Sequence, residues 1–430
     1  MPCKRLIGLL QGIYYNQRTL MKILKENHQG FSTILAFALI PLSGFATDIY
    51  LPALPAMAKD LQVSASAVQL SLVLFMFSIG VSQLFIGSIL DSFGRFKISI
   101  FSLAVFSLTS FIIAATSDIH VIYAMRIIQG LTIALIVVGK RAYFVDLYSG
   151  AKLKHYVSLF AIIWACAPIM APFLGGYLQS LFGWRANFYF LGALSLVFLI
   201  LELMYSGESL KHFHAFKAKA IAETYSKMLK TPDFILGLAV IGVCFGLVVV
   251  YSLSSPFIIE RIFGYSAVVT GYSSLLSGLS LMIGGIIAKA LIDVPLVRKV
   301  TAALIFQAAM AILMISSAAF MSNLYTLIGF TICIHLCGGF IFNIIYGYCL
   351  SRFSKNAGMA SGFTGGAMYM VSSVFSYGMA SLFAVKSQTL LGITNLVLII
   401  LVIMLFIAFN RYRKRRIIED VSLQSLVVAN

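Results

Sequence analysis

Apolar stretches of roughly 20 residues, each long enough to cross a bilayer core about 30 Å thick, follow one another down this chain. In lipid, a backbone satisfies its own polar groups only as a helix or a closed barrel. The stretches are continuous rather than alternating, which selects helices. Composition agrees. Of 430 residues, 60% are hydrophobic and 10% charged, whereas soluble domains carry about 25% charged residues. The reading is an all-α membrane protein with spans starting near Thr33, Val68, Ile98, Ile119, Tyr156 and Ala186, then near Asp233, Ala267, Val297, Leu324, Asn356 and Leu390. The longest internal polar stretch, GESLKHFHAFKAKAIAETYSKMLKTP, separates two six-span halves. The expected division is an N-terminal tail (1–30), a first bundle (31–206), a central loop (207–232), a second bundle (233–410) and a basic C-terminal tail (411–430).

The net charge is +17. A nucleic-acid partner is not expected, because the cations sit in short links and tails, where Lys and Arg mark the cytoplasmic side of a membrane. With the N-terminus inside, every Lys and Arg falls on that side except Lys59, Arg185, Arg261, Lys386 and the intramembrane Arg126. The expectation is a monomer in an inner (plasma) membrane with both termini cytoplasmic. The first 29 residues are basic and their apolar core is interrupted, which suits a secretory signal poorly. They form either an interfacial helix or a disordered tail.

Other functions are poorly supported. All six cysteines but Cys3 fall in apolar runs, so no disulfide framework is expected. His335 sits between Cys333 and Cys337 in sequence, but at about 100° per residue it points about 200° away from Cys333. No metal site is therefore expected. The one Gly-Lys pair, Gly139-Lys140, lacks the upstream glycine and following hydroxyl of a phosphate-binding loop. No nucleophile–base pattern appears, so the chain is not expected to be an enzyme and needs no cofactor. An ion gradient would supply its energy.

Two charges stand at membrane depth. Asp48 lies in STILAFALIPLSGFATDIYLPALP and Arg126 in IHVIYAMRIIQGLTIALIVVG. A charge there is costly, and it usually faces a wet cavity or a partner and does a job. Pro52 has no N–H to offer the Asp48 carbonyl, so acid and free carbonyl share a weak point in the helix. At 1.5 Å per residue the two charges reach similar depths, and a direct or water-bridged pair is possible. Asp48 either binds protons and substrate or merely anchors the span at the interface. Arg126, with Gln129 and Gly130 on its face, is either a partner in proton transfer or half of a static salt bridge.

Further constellations flank this pair. In GSILDSFGRFK, Gly94 suits a tight turn, Asp91 and Arg95 can pair across it, and Gly87 permits close helix approach. In APIMAPFLGGYL, Pro168 and Pro172 remove two successive hydrogen bonds, and Gly175-Gly176 leaves a flat face on which a kinked span could rock. In the second half, Asn343 and Tyr346 share a helix face and either line a cavity or pack.

DIYLPALP, GSILDSFGRFK, RIIQG, RAYFVDLYSG, APIMAPFLGGYL and GWRANF stand in the order found in the major facilitator superfamily. The chain resembles its twelve-span drug:proton antiporters of the Bcr/CflA type, from about Ala46 to Phe190. The resemblance implies two six-helix bundles around a central cavity and alternating access. It also implies roles for residues that match the family motifs. Asp48 would be the protonation and cation-substrate site, with Arg126 and Gln129 in proton transfer. Gly87, Asp91, Gly94 and Arg95 would form the gating loop, and Pro168, Pro172, Gly175 and Gly176 the antiporter motif. Ser92 replaces a basic residue of the family loop, Lys140 is an extra charge, and the second-half copy of the loop is reduced to IIAKALIDVPLVRK. The expected function is proton-coupled export of small amphipathic compounds. The alternatives are transport of one metabolite or siderophore, and a non-transporting receptor or scaffold.

Overall fold

The computed structural model describes residues 22–210, 213, 218–353, 357–383 and 386–428. Most of the expected N-terminal tail, read as an interfacial helix or a disordered segment, and part of the central loop lie outside the described residues. The first span is a series of three pieces: α1 (Gln29–Leu39), α2 (Leu42–Asp48) and α3 (Leu54–Asp60). The first bundle continues through α4 (Ala65–Gln83), a short α5 (Ile86–Phe93), α6 (Arg95–Ala115), α7 (Ile119–Leu147), α8 (Gly150–Phe182) and α9 (Arg185–Tyr205). The central segment carries a helix, α10 (Ala218–Leu229). The second bundle is α11 (Pro232–Phe257), α12 (Ala267–Ala290), α13 (Leu296–Ser317), α14 (Leu324–Arg352), α15 (Ala357–Phe383) and α16 (Gln388–Val428), the last running well into the expected tail.

Among the described residues, 10 helices or helix series are long and apolar enough to cross a membrane. The helices in the fifth and eleventh places, α8 and α15, are 33 and 27 residues long. Starts are set by local chemistry. Ser64 accepts the Ala67 amide at 3.2 Å, Asp118 accepts the His120 amide at 2.8 Å, and Asn323 accepts the Thr326 amide at 3.0 Å. Each such cap satisfies a backbone donor that the first turn leaves without a partner.

The bundles meet along two seams, α4 against α15 and α8 against α12. These are spans two with eleven and five with eight, so the internal six-span repeat maps one seam onto the other. Small residues bring the second seam close. A Cβ on Gly176 would stand 2.6 Å from the Ala267 carbonyl oxygen, which no larger residue can meet without backbone movement.

Polar ties close both ends. At the gating-loop end, Tyr225 of α10 donates to the Leu84 carbonyl at 2.7 Å. At the opposite end, Gln69 donates to the Leu253 carbonyl at 2.7 Å and Arg261 to the Pro55 carbonyl at 3.1 Å.

Candidate functional site

The first span breaks where Pro52 removes a donor: α2 stops at Asp48, and a 3-10 turn, Leu51–Ala53, leads into α3. A helix end leaves its last carbonyls without amide partners and carries partial negative charge. Arg126 of α7 docks there. Both Nη1 and Nη2 donate to the Ala46 carbonyl at 3.1 Å, and Nη1 also donates to Gln129 Oε1 at 2.9 Å. Gln129 in turn donates to Ser110 Oγ at 2.8 Å. The guanidinium is fully buried, with its carbon 4.1 Å from the Phe75 ring centre, 4.5 Å from Tyr50 and 5.8 Å from Phe188. A desolvated cation over ring faces gains about 2 kcal/mol or more. Arg126 is thus held by a carbonyl and an aromatic cage. The Asp48–Arg126 pair that their depths allowed is not made.

Two more motifs converge on the same break. On α8, a Cβ at Gly175 would fall 1.6 Å from the Ile49 carbonyl oxygen, so only glycine fits. Asn187 of GWRANF, fully buried, brings Oδ1 within 3.2 Å of that position. Pro168 and Pro172 sit inside α8 beside this contact, and Pro168 and Ala167 pack against Gly44 of α2. The antiporter-motif residues therefore brace the broken first span and, through Gly176, the seam with α12.

Asp48 is half-buried, and among the described residues it makes no hydrogen bond or ion pair. Tyr369 of α15, from the other bundle, lies within electrostatic reach of it, as it does of Arg141 and Tyr346. Tyr346 stacks on Phe342 at 5.4 Å, and Phe245 reaches Tyr369 at 6.1 Å and Phe342 at 6.3 Å. Tyr369 thus belongs to a cluster of rings on the second bundle and lies within electrostatic reach of the carboxylate on the first. Asn343 turns back to its own helix, donating to the Gly339 carbonyl at 2.8 Å, and its side chain packs on Gly285 of α12.

The gating loop is built as a clamp. Gly94 adopts φ 88°, and a Cβ there would meet Glu208 Oε2 at 2.6 Å. Arg95 contacts Asp91 Oδ1 at 3.3 Å, donates to Asp146 Oδ1 at 2.9 Å and ion-pairs Asp146 Oδ2. Glu208, just after α9, accepts the Arg95 and Phe96 amides at 3.1 Å each and so caps α6. Its own amide donates to the Lys22 carbonyl at 2.8 Å. One expectation is corrected here. Nothing lies within 4 Å of a Cβ at Gly87, so no neighbouring helix takes up the close approach that this glycine permits.

Other groups went unread in the sequence. Lys140, counted there among loop cations, is buried inside α7 and pairs with Glu202 of α9 at 2.5 Å. Their matching depth near the same end of spans four and six was the available signal. Asp233 gathers Tyr348 at 2.6 Å, Arg352 at 3.1 Å and Arg416 at 3.6 Å at the same end of the second bundle. Trp184 donates to Asp60 at 3.0 Å, and Arg185 pairs with that carboxylate at the opposite end. No disulfide joins the described cysteines, and no group of metal-ligating side chains occurs among the described residues.

The family model of the Major Facilitator Superfamily matches residues 36–377. The chain belongs to that superfamily. It is 33% identical to the bicyclomycin resistance protein homolog of Haemophilus influenzae, over 43% of this chain and 48% of that protein. That match spans about half the relative's length. It is 25% identical to the multidrug resistance protein MdtL of Salmonella heidelberg, over 88% of this chain and 95% of the relative. The crystal structure of the D-xylose–proton symporter superposes with a TM-score of 0.66 at 13% identity, covering 86% of this chain and 96% of that one, a likeness of fold. The helices of this chain take the two-bundle arrangement of that fold, with ten helices or helix series among the described residues long and apolar enough to cross a membrane.

Proposed function

We propose that the protein exports small amphipathic compounds in exchange for protons, with Asp48 as the carboxylate for which proton and substrate compete. The observation that carries this reading is the division of labour at the broken first span. Arg126 satisfies the helix end, which leaves Asp48 half-buried, without an ion pair among the described residues and within electrostatic reach of Tyr369 of the opposite bundle. A lone acid in a low-dielectric site responds strongly to its surroundings, and aromatic faces favour cationic or amphipathic guests. Binding either a proton or a substrate at one group couples their opposite flows. The relatives named for multidrug and bicyclomycin resistance support the substrate class. The gating-loop end is the cytoplasmic one on the distribution of Lys and Arg. No cofactor is required, and a single chain suffices.

The test uses full-length protein in liposomes with a pH gradient and labelled bicyclomycin as probe. Wild type should accumulate bicyclomycin against its gradient when the pH gradient is imposed, and lose this with an uncoupler. Asp48→Asn should fall to the level of protein-free liposomes while remaining folded. Gradient-driven transport by Asp48→Asn at wild-type rate would remove Asp48 from the coupling.

A second reading, transport of one metabolite or siderophore, is favoured by Arg141, a cation within reach of Tyr369. It predicts that an anionic chelate competes with bicyclomycin and that Arg141→Gln abolishes that competition. Lys140 does not favour it, because Glu202 already neutralises that charge.

A further inference from the structure

The second bundle carries its own polar core, far from Asp48 in sequence and built without a charged pair. Its mouth is a cavity of about 540 Å³ at the end opposite the gating loop, lined by Pro55, Lys59 and Gln62 from one bundle and Glu260 and Arg261 from the other. Glu260 lies on a π-helical turn, Ile258–Ile262, that follows α11. Such turns are rare and recur at functional sites. Glu260 accepts a hydrogen bond from Thr270 Oγ1 at 3.2 Å.

Thr270 heads a stripe of hydroxyls on α12. Thr270, Ser273 and Ser277 are spaced to share one helix face, and all three are buried. Ser273 bonds the Tyr251 hydroxyl of α11, and the Tyr251 ring meets the His335 ring at 5.3 Å and 88°. Ser277 Oγ lies 2.7 Å from His335 Nδ1. His335 is 1% exposed, and its Nε2 has no hydrogen-bond partner among the described residues. Arg261 beside Glu260 and Lys59 across the cavity are the charged groups at the mouth. His335 meets Tyr251 from α11 and Ser277 from α12, and neither Glu260 nor His335 makes an ion pair among the described residues.

A solvent mouth, an acid, a run of hydroxyls and a half-satisfied imidazole form a continuous set. Successive rungs stand about 5–6 Å apart between Cβ atoms, a gap that one hydroxyl rotation or one water closes. We propose that the second bundle holds a proton-binding site independent of Asp48, loaded at Glu260 from the cavity and connected through Thr270, Ser273, Tyr251 and Ser277 to His335. Hydronium in the cavity gives its proton to the Glu260 carboxylate and leaves water. Passage of that proton along the hydroxyls to Ser277 protonates the Nδ1 that Ser277 faces, in the tautomer that carries its hydrogen on Nε2, and restores the carboxylate. One proton is shared by two groups of different basicity, one nearer solvent and one in the core.

The test needs neither substrate nor transport, so it separates from the reading of Asp48. Full-length protein with ¹⁵N-labelled histidine, in lipid nanodiscs, is titrated by NMR over about pH 3.5–8, which reaches below the range where histidine ordinarily changes charge. The His335 signal is assigned by its loss in His335→Gln. It should move with pH, and Glu260→Gln should displace its midpoint by about one unit or more, the level at which two groups titrate as a pair. Asp48→Asn should leave it in place. Thr270→Val with Ser273→Ala, which keeps both titrating groups, should uncouple them and carries the test if Glu260→Gln does not fold. A His335 signal that ignores pH, or one equally placed in wild type, Glu260→Gln and the Thr270/Ser273 variant, would overturn the proposal.

Discussion

Arg126 and His335 hold equivalent places in the two bundles, the fourth span of one and the fourth span of the other. Both are fully buried, at 0% and 1% exposure, yet they are housed differently. Arg126 carries a permanent charge, and its pocket supplies a broken helix end, a glutamine oxygen and three ring faces. His335 can be neutral, and one hydroxyl and one ring suffice. A charge that cannot leave needs a carbonyl to bond, and the first span, broken at Pro52, supplies one, while α11 runs unbroken to Phe257. A group that can shed its charge fits into ordinary helix packing. On the roles proposed above, Arg126 holds the broken span together, and Asp48, Glu260 and His335 are the groups that titrate.

That contrast can be broken most sharply at the other buried charges of the first bundle. Lys140→Met or Glu202→Gln alone should each cost about 3–5 kcal/mol by stranding a buried partner, whereas Lys140→Met with Glu202→Leu should restore most of it. Thermal unfolding in detergent, followed with a thiol-reactive dye, reads this directly. Equal losses in single and double variants would mean that the pair is not a closed unit. In the same assay Arg126→Gln should cost about 3 kcal/mol, through lost cation–π contact and an unpaired Ala46 carbonyl. His335→Gln should cost about 1 kcal/mol, the worth of one hydrogen bond. Similar values for the two would erase the distinction drawn here.

Gly175→Ala should lose about 1–3 kcal/mol and most transport, since its Cβ meets backbone rather than a movable side chain. Gly87→Ala, in open space, should stay within about 0.5 kcal/mol of wild type and keep transport. The smallest effect belongs to the half-exposed pair at the opposite end. Asp60→Asn should cost under about 1 kcal/mol, with less difference from wild type as salt rises.

The sequence already showed which spans exist and where they begin. Their length in lipid is dictated by backbone hydrogen bonding, and Ser64, Asp118 and Asn323 mark starts by local chemistry. The break near Asp48 was legible for the same reason, because Pro52 acts on its own helix. The partner of Arg126 was not. Spacing gives depth, and depth allowed Asp48, but only packing decides between a side-chain carboxylate and a backbone carbonyl two residues earlier. The reading of Gly87 failed on similar grounds, since a glycine shows that close approach is permitted and not that a neighbour takes it. Glu202 and Glu260 were missed because a single acid near a span end reads as a boundary marker. The polar core of the second bundle is invisible without coordinates, since its serines look like common small residues until three helices bring them together. The loops show the same limit. IIAKALIDVPLVRK looked like a worn copy of the first, and its Lys299 now closes the end of α12 by donating to the Leu291 carbonyl at 2.8 Å.

Residue 22 has a practical bearing. Its carbonyl takes the Glu208 amide, and the same Glu208 side chain fixes the start of the third span. A fluorescent protein or affinity tag fused just ahead of that point would tug on the turn that organises the gating loop. Reporters for trafficking or purification therefore belong beyond Val428, and a fusion there should leave turnover untouched where a front-end fusion slows it.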